Sequence, residues 1–253
     1  MKIPVLTGTI KRRLLVNFRA DPEVAGRQLP QPFRPKLHGG FAMVGICLIR
    51  LEHERPSGVP EMLGLASENA AHRFAVEWTG GDGLVKEGVY IPRRDTDSLA
   101  NRLAGGRIFP IESHAADFSV IDTGSHIEIS MKSRDGECDV DVVGDEAGQV
   151  PSSSCFGSLE EASVFFEAGA KGYSPARLGD RFDGIDLCTP GWKVGALEVS
   201  HVRSSYFEDR ARFPAGSVEF DHALVMRELR HEWRIAERID ASGAAESLQA
   251  IVS

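Results

Sequence analysis

The sequence predicts a mainly β fold with a few covering α-helices, closed as an antiparallel barrel or sandwich. Three observations lead there. Short runs rich in Val, Ile and aromatic residues dominate, several of them alternate apolar with polar positions, and Gly- or Asp-rich turns separate them. In chain order the strand candidates are residues 14–18, 41–49, 73–78, 88–91, 118–121, 127–131, 138–143 and 195–202. The segments 79–83 (Thr-Gly-Gly-Asp-Gly), 122–125 (Asp-Thr-Gly-Ser) and 133–136 (Ser-Arg-Asp-Gly) have the residues of tight turns between antiparallel neighbours.

Helices are few and each announces itself by a cap. Asp21, Pro22 and Glu23 supply an N-cap, a first-turn proline and an early acid ahead of residues 24–29, where Pro30 ends the run. Asp97 can cap residues 98–104, with Gly105 as the stop. Ser158 and Glu161 form a capping box before residues 162–166, closed by Gly169. Residues 226–239, rich in Arg and Glu, leave strand and helix open, with the helix preferred. The weakest connection, residues 144–154, has strands on both sides and no shift in composition, so residues 1–253 read as one domain.

Composition excludes several functions. With 37 acidic against 29 basic residues the net charge is −8, the wrong sign for a general nucleic-acid binder. No run approaches the ~18 apolar residues of a membrane span. The amino terminus, Met-Lys-Ile-Pro-Val-Leu-Thr-Gly, lacks a signal-peptide core, so a cytoplasmic protein is expected. Four scattered cysteines, Cys47, Cys138, Cys155 and Cys188, form no Cys-x-x-Cys pair and read as buried thiols. No phosphate loop occurs, and the histidines lack metal-site spacing, so no cofactor and no metal is expected.

Four stretches, in order, resemble the acetoacetate decarboxylase family: residues 16–24 leading to Leu29-Pro30, Ser67-Glu68-Asn69, residues 102–110, and 219–224 (Glu-Phe-Asp-His-Ala-Leu). The chain is similar also to an uncharacterised sister group with the same opening strand and helix. The resemblance implies a cone-like, mostly antiparallel β barrel with an apolar internal cavity, usually in homo-oligomers, whose partner is a small oxo acid-like molecule.

In that family an apolar, cationic environment activates a lysine amine toward a ketone. Counted from Phe109-Pro110, the family's two lysine positions fall on Ile111 and Glu112, and a short shift reaches only Ser113 and His114. Neither Ile nor Glu forms an imine, which argues against amine-mediated decarboxylation. The family's pocket glutamate falls on Glu68, and its pocket arginine near Lys11-Arg12-Arg13. The expected site therefore has Glu68 and Glu112 as acid–base residues, with Lys11, Arg13, Phe109 and Ile111 around the substrate. Lyase, hydratase or hydrolase chemistry is expected from these carboxylates. A non-catalytic binding protein, or a decarboxylase using a relocated Lys11, are the alternatives. Asp221-His222 reads as a fold signature that satisfies buried hydrogen bonds.

Overall fold

The computed structural model describes residues 5–100, 112–176 and 181–246. The amino-terminal half runs β1 (Leu6–Ala20), α1 (Pro22–Arg27), β2 (Arg34–Pro35), β3 (Leu37–His38), β4 (Phe41–Pro56), a 3-10 turn (Glu61–Leu63), β5 (Leu65–Thr79) and β6 (Val85–Thr96). It continues through β7 (His114–Asp122), β8 (His126–Ser133), β9 (Asp139–Ala147), α2 (Leu159–Glu167), β10 (Lys171–Pro175) and β11 (Arg181–Cys188). The last elements are β12 (Gly195–Ser204), α3 (Ser205–Glu208), β13 (Val218–Asp240) and β14 (Ala245–Glu246).

All the strands join one sheet, and it closes on itself twice. A smaller ring runs β13–β1–β4–β5–β6–β10–β11 and back to β13. A larger ring leaves β6 through β7, β8, β9 and β12 and returns to β13. The two share the wall β13–β1–β4–β5–β6. They diverge because both boundary strands are long: β13 pairs β12 near Ala223–Val225 and β11 from Glu232 onward. Likewise β6 pairs β10 at Val89–Tyr90 and β7 at Asp95–Thr96. Both of those β6 junctions are parallel, so the sheet is mixed, while its other pairings are antiparallel, in line with the mostly antiparallel fold expected.

The shared wall explains the sequence pattern. In β4 the eight residues from Ala42 to Ile49 are all buried, because both faces of the strand are covered. In β8, whose outer face meets solvent, buried and half-buried residues alternate. One apolar cluster fills the larger ring and the lower wall, around Val16, Ile46, Phe74, Ile129, Val140 and Phe207. A second, with Leu15, Met43, Ile49, Ala162, Phe166 and Leu224, lies on the other face beneath α2.

Local chemistry accounts for the helices. Asp21 accepts from the backbone N–H of Glu23 and Val24 at 2.8 and 3.0 Å, which fixes the start of α1. Ser158 accepts from Glu161 N at 3.1 Å, and the Glu161 carboxylate accepts in return from Gly157 N at 2.6 Å. Most of the expected helix at 98–104 lies outside the described residues.

Residues 226–239 are strand, correcting the helical preference. The Arg/Glu-rich composition suits either state, but here β1 and β11 hydrogen-bond the segment from both sides, and pairing overrides local propensity. The short β10 and β11 are also additions to the strands read from sequence. Their Gly172 and Gly184 lie where a Cβ would meet neighbouring atoms at 2.8 and 2.4 Å, a packing need that weakens the local strand signal.

The closest approach in the wall is at Gly45, where a Cβ would stand 2.4 Å from Val16 O. Gly45→Ala should therefore force β1 and β4 apart and cost roughly 3 kcal/mol of stability, as overpacking in a core does. A urea-denaturation midpoint equal to that of the unmodified protein would contradict the tight register.

Candidate functional site

The smaller ring encloses a cavity of about 190 Å³. All seven of its strands reach it, through Arg13 (β1), Cys47 (β4), Asn69 and Arg73 (β5), Ile91 and Arg94 (β6), Gly172 (β10), Ile185 (β11) and Trp233 (β13). The walls are mainly aliphatic, with Ile49, Leu51 and Leu187 adding to this lining. Three arginines, Arg13, Arg73 and Arg94, interrupt it, and two acidic residues, Glu54 and Asp95, also border the cavity.

These arginines lack the partners that buried cations ordinarily have. Among the described residues no carboxylate stands within ion-pairing distance of any of the three. Arg73 is only 5% exposed, its Nε–H has no hydrogen-bond acceptor, and its guanidinium lies over the Phe166 ring at 4.9 Å. Among the described residues Arg94 donates only to Ser174 Oγ, at 3.4 Å. Arg13 donates from Nε to Cys47 Sγ at 3.3 Å and lies near the Trp192 ring. Burial lowers Arg73 and Arg94 to about 10, which still leaves both charged at neutral pH. A buried cation without a counter-ion is costly, and an anion entering the cavity relieves that cost.

Arg73 is held from behind by a relay of buried polar groups. Its Nη2 donates to Asn17 Oδ1. Asn17 Nδ2 lies 3.0 Å from His222 Nε2, and His222 Nδ1 lies 2.6 Å from Asp221 Oδ1. With Nδ1 protonated and directed at the carboxylate, Nε2 accepts from Asn17, and every member is satisfied. Ser154 Oγ and the Cys155 backbone N–H also donate to Asp221, at 2.6 and 2.9 Å. Burial pushes the Asp221 carboxyl up, but these donors together hold it down at about 2. The motif at 219–224 thus orients a cavity arginine from the far side of the wall.

Strand parity decides where the sequence-derived candidates lie. Arg13 lines the cavity, whereas its neighbour Arg12 faces the opposite side of β1 and binds Glu68 Oε2 at 2.7 Å. Glu68 is buried, yet it is Asn69, one residue on, that borders the cavity. Burial raises the Glu68 carboxyl, with Arg12 opposing. Arg12 reaches Asp122 as well, at 3.5 Å, so this face carries a balanced charge network. Lys11 is exposed and ion-paired with Glu228, beside a register irregularity in β1. Glu112 is exposed, next to the cavity residue Ser113. Phe109 and Ile111 lie outside the described residues. Cys47, Arg73 and Arg94 were not singled out from sequence. The signal available for them was alternation, since each sits one or three positions from a residue buried on the other face.

Comparison with known proteins agrees with the fold. A family model matches residues 7–215, that of DUF2071, described as an uncharacterized conserved protein (COG2071). The chain belongs to this family. Among solved structures, an acetoacetate decarboxylase from Legionella pneumophila is similar over 93% of this chain and 88% of its own, at 9% identity and a TM-score of 0.59. The enduracididine biosynthesis enzyme MppR, complexed with pyruvate, matches 93% of this chain and 91% of its own, at 11% identity and a TM-score of 0.55. An acetoacetate decarboxylase-like enzyme from Sphingomonas wittichii RW1 matches 98% and 94% of the two chains, at 12% identity and a TM-score of 0.52. The fold of this DUF2071 member is therefore acetoacetate decarboxylase-like. No curated protein matches the sequence. Among the described residues no helix is long and apolar enough to cross a membrane.

One cluster, which includes the cavity-bordering Asp95, has the residue types of a metal site. Ligand atoms of His72, Asp95 and Cys138 lie within 4.8 Å of one another, all buried. Each already has a role in hydrogen bonding. Arg93 grips both oxygens of Asp95 at 2.7–3.1 Å, and His72 Nε2 lies 3.6 Å from Cys138 Sγ and 3.4 Å from Ser204 Oγ. Burial raises the Cys138 thiol to about 12 and lowers His72 to about 3, so both are neutral at pH 7.

His72 makes the stability of the fold pH-dependent. Its imidazole binds a proton near 6.5 when unfolded but only near 3 when folded, so the stability it confers is complete above 6.5 and falls between those values. The loss amounts to several kcal/mol, on the scale of about 1.4 kcal/mol per pH unit. Replacing His72 with Phe should flatten the stability profile from pH 6.5 to 4. An unchanged slope in chemical denaturation would show that His72 is not the group responsible.

Proposed function

We propose that this DUF2071 member binds a small organic anion of the 2-oxo acid class in the arginine-lined cavity and does so without forming an imine. One observation carries the reading: Arg73 is buried, charged and, among the described residues, without a carboxylate partner, while Arg12 on the other face of the same wall is paired with Glu68 and Asp122. Apolar walls with a few convergent polar groups are what a small-ligand site requires, and a guanidinium fork matches a carboxylate in shape and charge. The similar MppR structure holds pyruvate, a ligand of the same class. No lysine borders the cavity among the described residues, and residues 101–111 contain none in sequence.

A second reading, proton transfer by Glu68 and Glu112, is favoured by the raised Glu68 carboxyl. It has less geometric support, because the Glu68 carboxylate is turned to Arg12 and Glu112 is exposed. Binding is therefore the primary assignment, and turnover the further question.

Pyruvate in hundredfold excess over its dissociation constant should stabilise the protein by about 2.7 kcal/mol, a rise in Tm of roughly 5–10 °C. Pyruvamide, which lacks the charge, should leave Tm unchanged. Arg73→Met should weaken pyruvate binding roughly 10–100-fold, the worth of one charge-assisted hydrogen bond. Equal shifts with pyruvate and pyruvamide would refute the anion site.

Borohydride added to a mixture of protein and acetoacetate or pyruvate should leave the intact mass unaltered. A reduced covalent adduct on Lys11 or any other lysine would restore the imine mechanism.

A further inference from the structure

Cys47 is the cysteine that borders the arginine cavity, and its placement there follows from strand register. Arg13 on β1 is paired with Ile49, and Arg73 on β5 with Gly45. Cys47 lies midway between those two partners on β4 and faces the same side. Its sulfur therefore has one guanidinium diagonally above and one diagonally below. The Arg13 Nε–H is aimed at Sγ from 3.3 Å, a hydrogen bond from a charged donor to sulfur. Cys47 is 8% exposed and forms no disulfide.

Arg73, which borders the same cavity and whose buried Nε–H has no acceptor, independently marks this region as a place for an anion. An anion seated there stands beside a thiol. In a 2-oxo acid the keto carbon is bonded directly to the carboxylate carbon, so a carboxylate on the guanidinium groups brings an electrophilic carbon next to Sγ.

We propose that Cys47 is the cavity's nucleophile and adds reversibly to the keto carbon of the bound acid. This rests on the anion-binding reading given above. The S–C bond forms as the C=O π bond breaks, the thiol proton ends on the former carbonyl oxygen, and the product is a hemithioketal. No oxidant or second substrate is consumed. Arg13 is positioned to donate to the oxygen as negative charge gathers on it. A sulfur nucleophile thus occupies the cavity in a chain whose expected lysine positions are Ile and Glu.

The test uses pyruvate labelled with carbon-13 at the keto carbon, with the unmodified protein and Cys47→Ser, both checked for folding by circular dichroism. In the unmodified protein a protein-bound tetrahedral carbon signal should appear and Cys47→Ser should lose it. In parallel, bromopyruvate should alkylate Cys47, mapped by peptide mass spectrometry, with displacement of bromide. Normalised to each reagent's rate with a free thiol, bromopyruvate should outpace neutral iodoacetamide at Cys47 by roughly tenfold or more, as steering of an anion by fixed cations gives. Excess pyruvate should slow that labelling. If pyruvate raises the Tm but the signal stays ketonic, or persists in Cys47→Ser, the nucleophile assignment falls while the binding site stands. Labelling of Cys155 or Cys188 ahead of Cys47 likewise overturns it. If pyruvate produces no thermal stabilisation, the anion site fails and the thiol proposal with it.

Discussion

Asn17 joins the two sides of this protein. It is fully buried in β1, and its amide bridges two buried side chains: Oδ1 accepts from Arg73, and Nδ2 meets His222 Nε2. A buried guanidinium costs several kcal/mol unless something fixes its hydrogens, and a buried imidazole needs a defined tautomer. One amide meets both needs because Asp221 anchors the far end of the relay. Gly45 is part of the same arrangement, since a side chain there would crowd Val16 O and stand 3.3 Å from the Asn17 oxygen. The cavity's chemistry thus depends on the packing of the wall behind it.

The wall also separates two kinds of electrostatics. On the face of Arg12, charges are matched: Glu68 and Asp122 sit on Arg12, and Arg227 takes the remaining reach of Asp122. On the face of Arg13, Arg73 and Arg94 the guanidinium groups meet aliphatic side chains, aromatic rings, a thiol and a hydroxyl. Low dielectric strengthens whatever ionic contact is made on that second face, and makes its absence expensive. A site of this type selects by charge first and by shape second.

Much of the fold was legible from the chain. The strand candidates fall within strands, save Cys138, which precedes β9 by one residue; the Gly/Asp turns at 79–83, 122–125 and 133–136 join the hairpins β5–β6, β7–β8 and β8–β9, and the caps at Asp21 and Ser158 begin helices. These signals are local, which is why they survive without tertiary information. The parallel junctions at β6 are set by distant pairing, and nothing near Val89 or Asp95 announces them. The strand character of 226–239 depends on partners more than a hundred residues away or on a neighbour in space, so composition alone misreads it. Motif matching pointed to segments of β1 and β5 that border the cavity, but a one-residue step changes the face of a strand. Arg12 with Glu68 and Arg13 with Asn69 are separated by that single step. Arg94 and Cys47 carry no local mark of their role, because a cavity is a property of seven strands at once.

The double closure divides the labour among the hairpins. β7, β8 and β9 belong only to the larger ring; they join the cavity-forming strands through β6 and β12, and Asp122 at the end of β7 also reaches Arg12 and Arg227. Their turns at 123–125 and 134–137 can vary while the arginines and Cys47 keep their register, provided that Gly124 and Asp135 keep their bonds to Arg227 and Arg93, because that register is fixed in β1, β4 and β5. Diversity among relatives should therefore collect in the outer hairpins, and an engineer could graft a recognition loop there without retuning the interior.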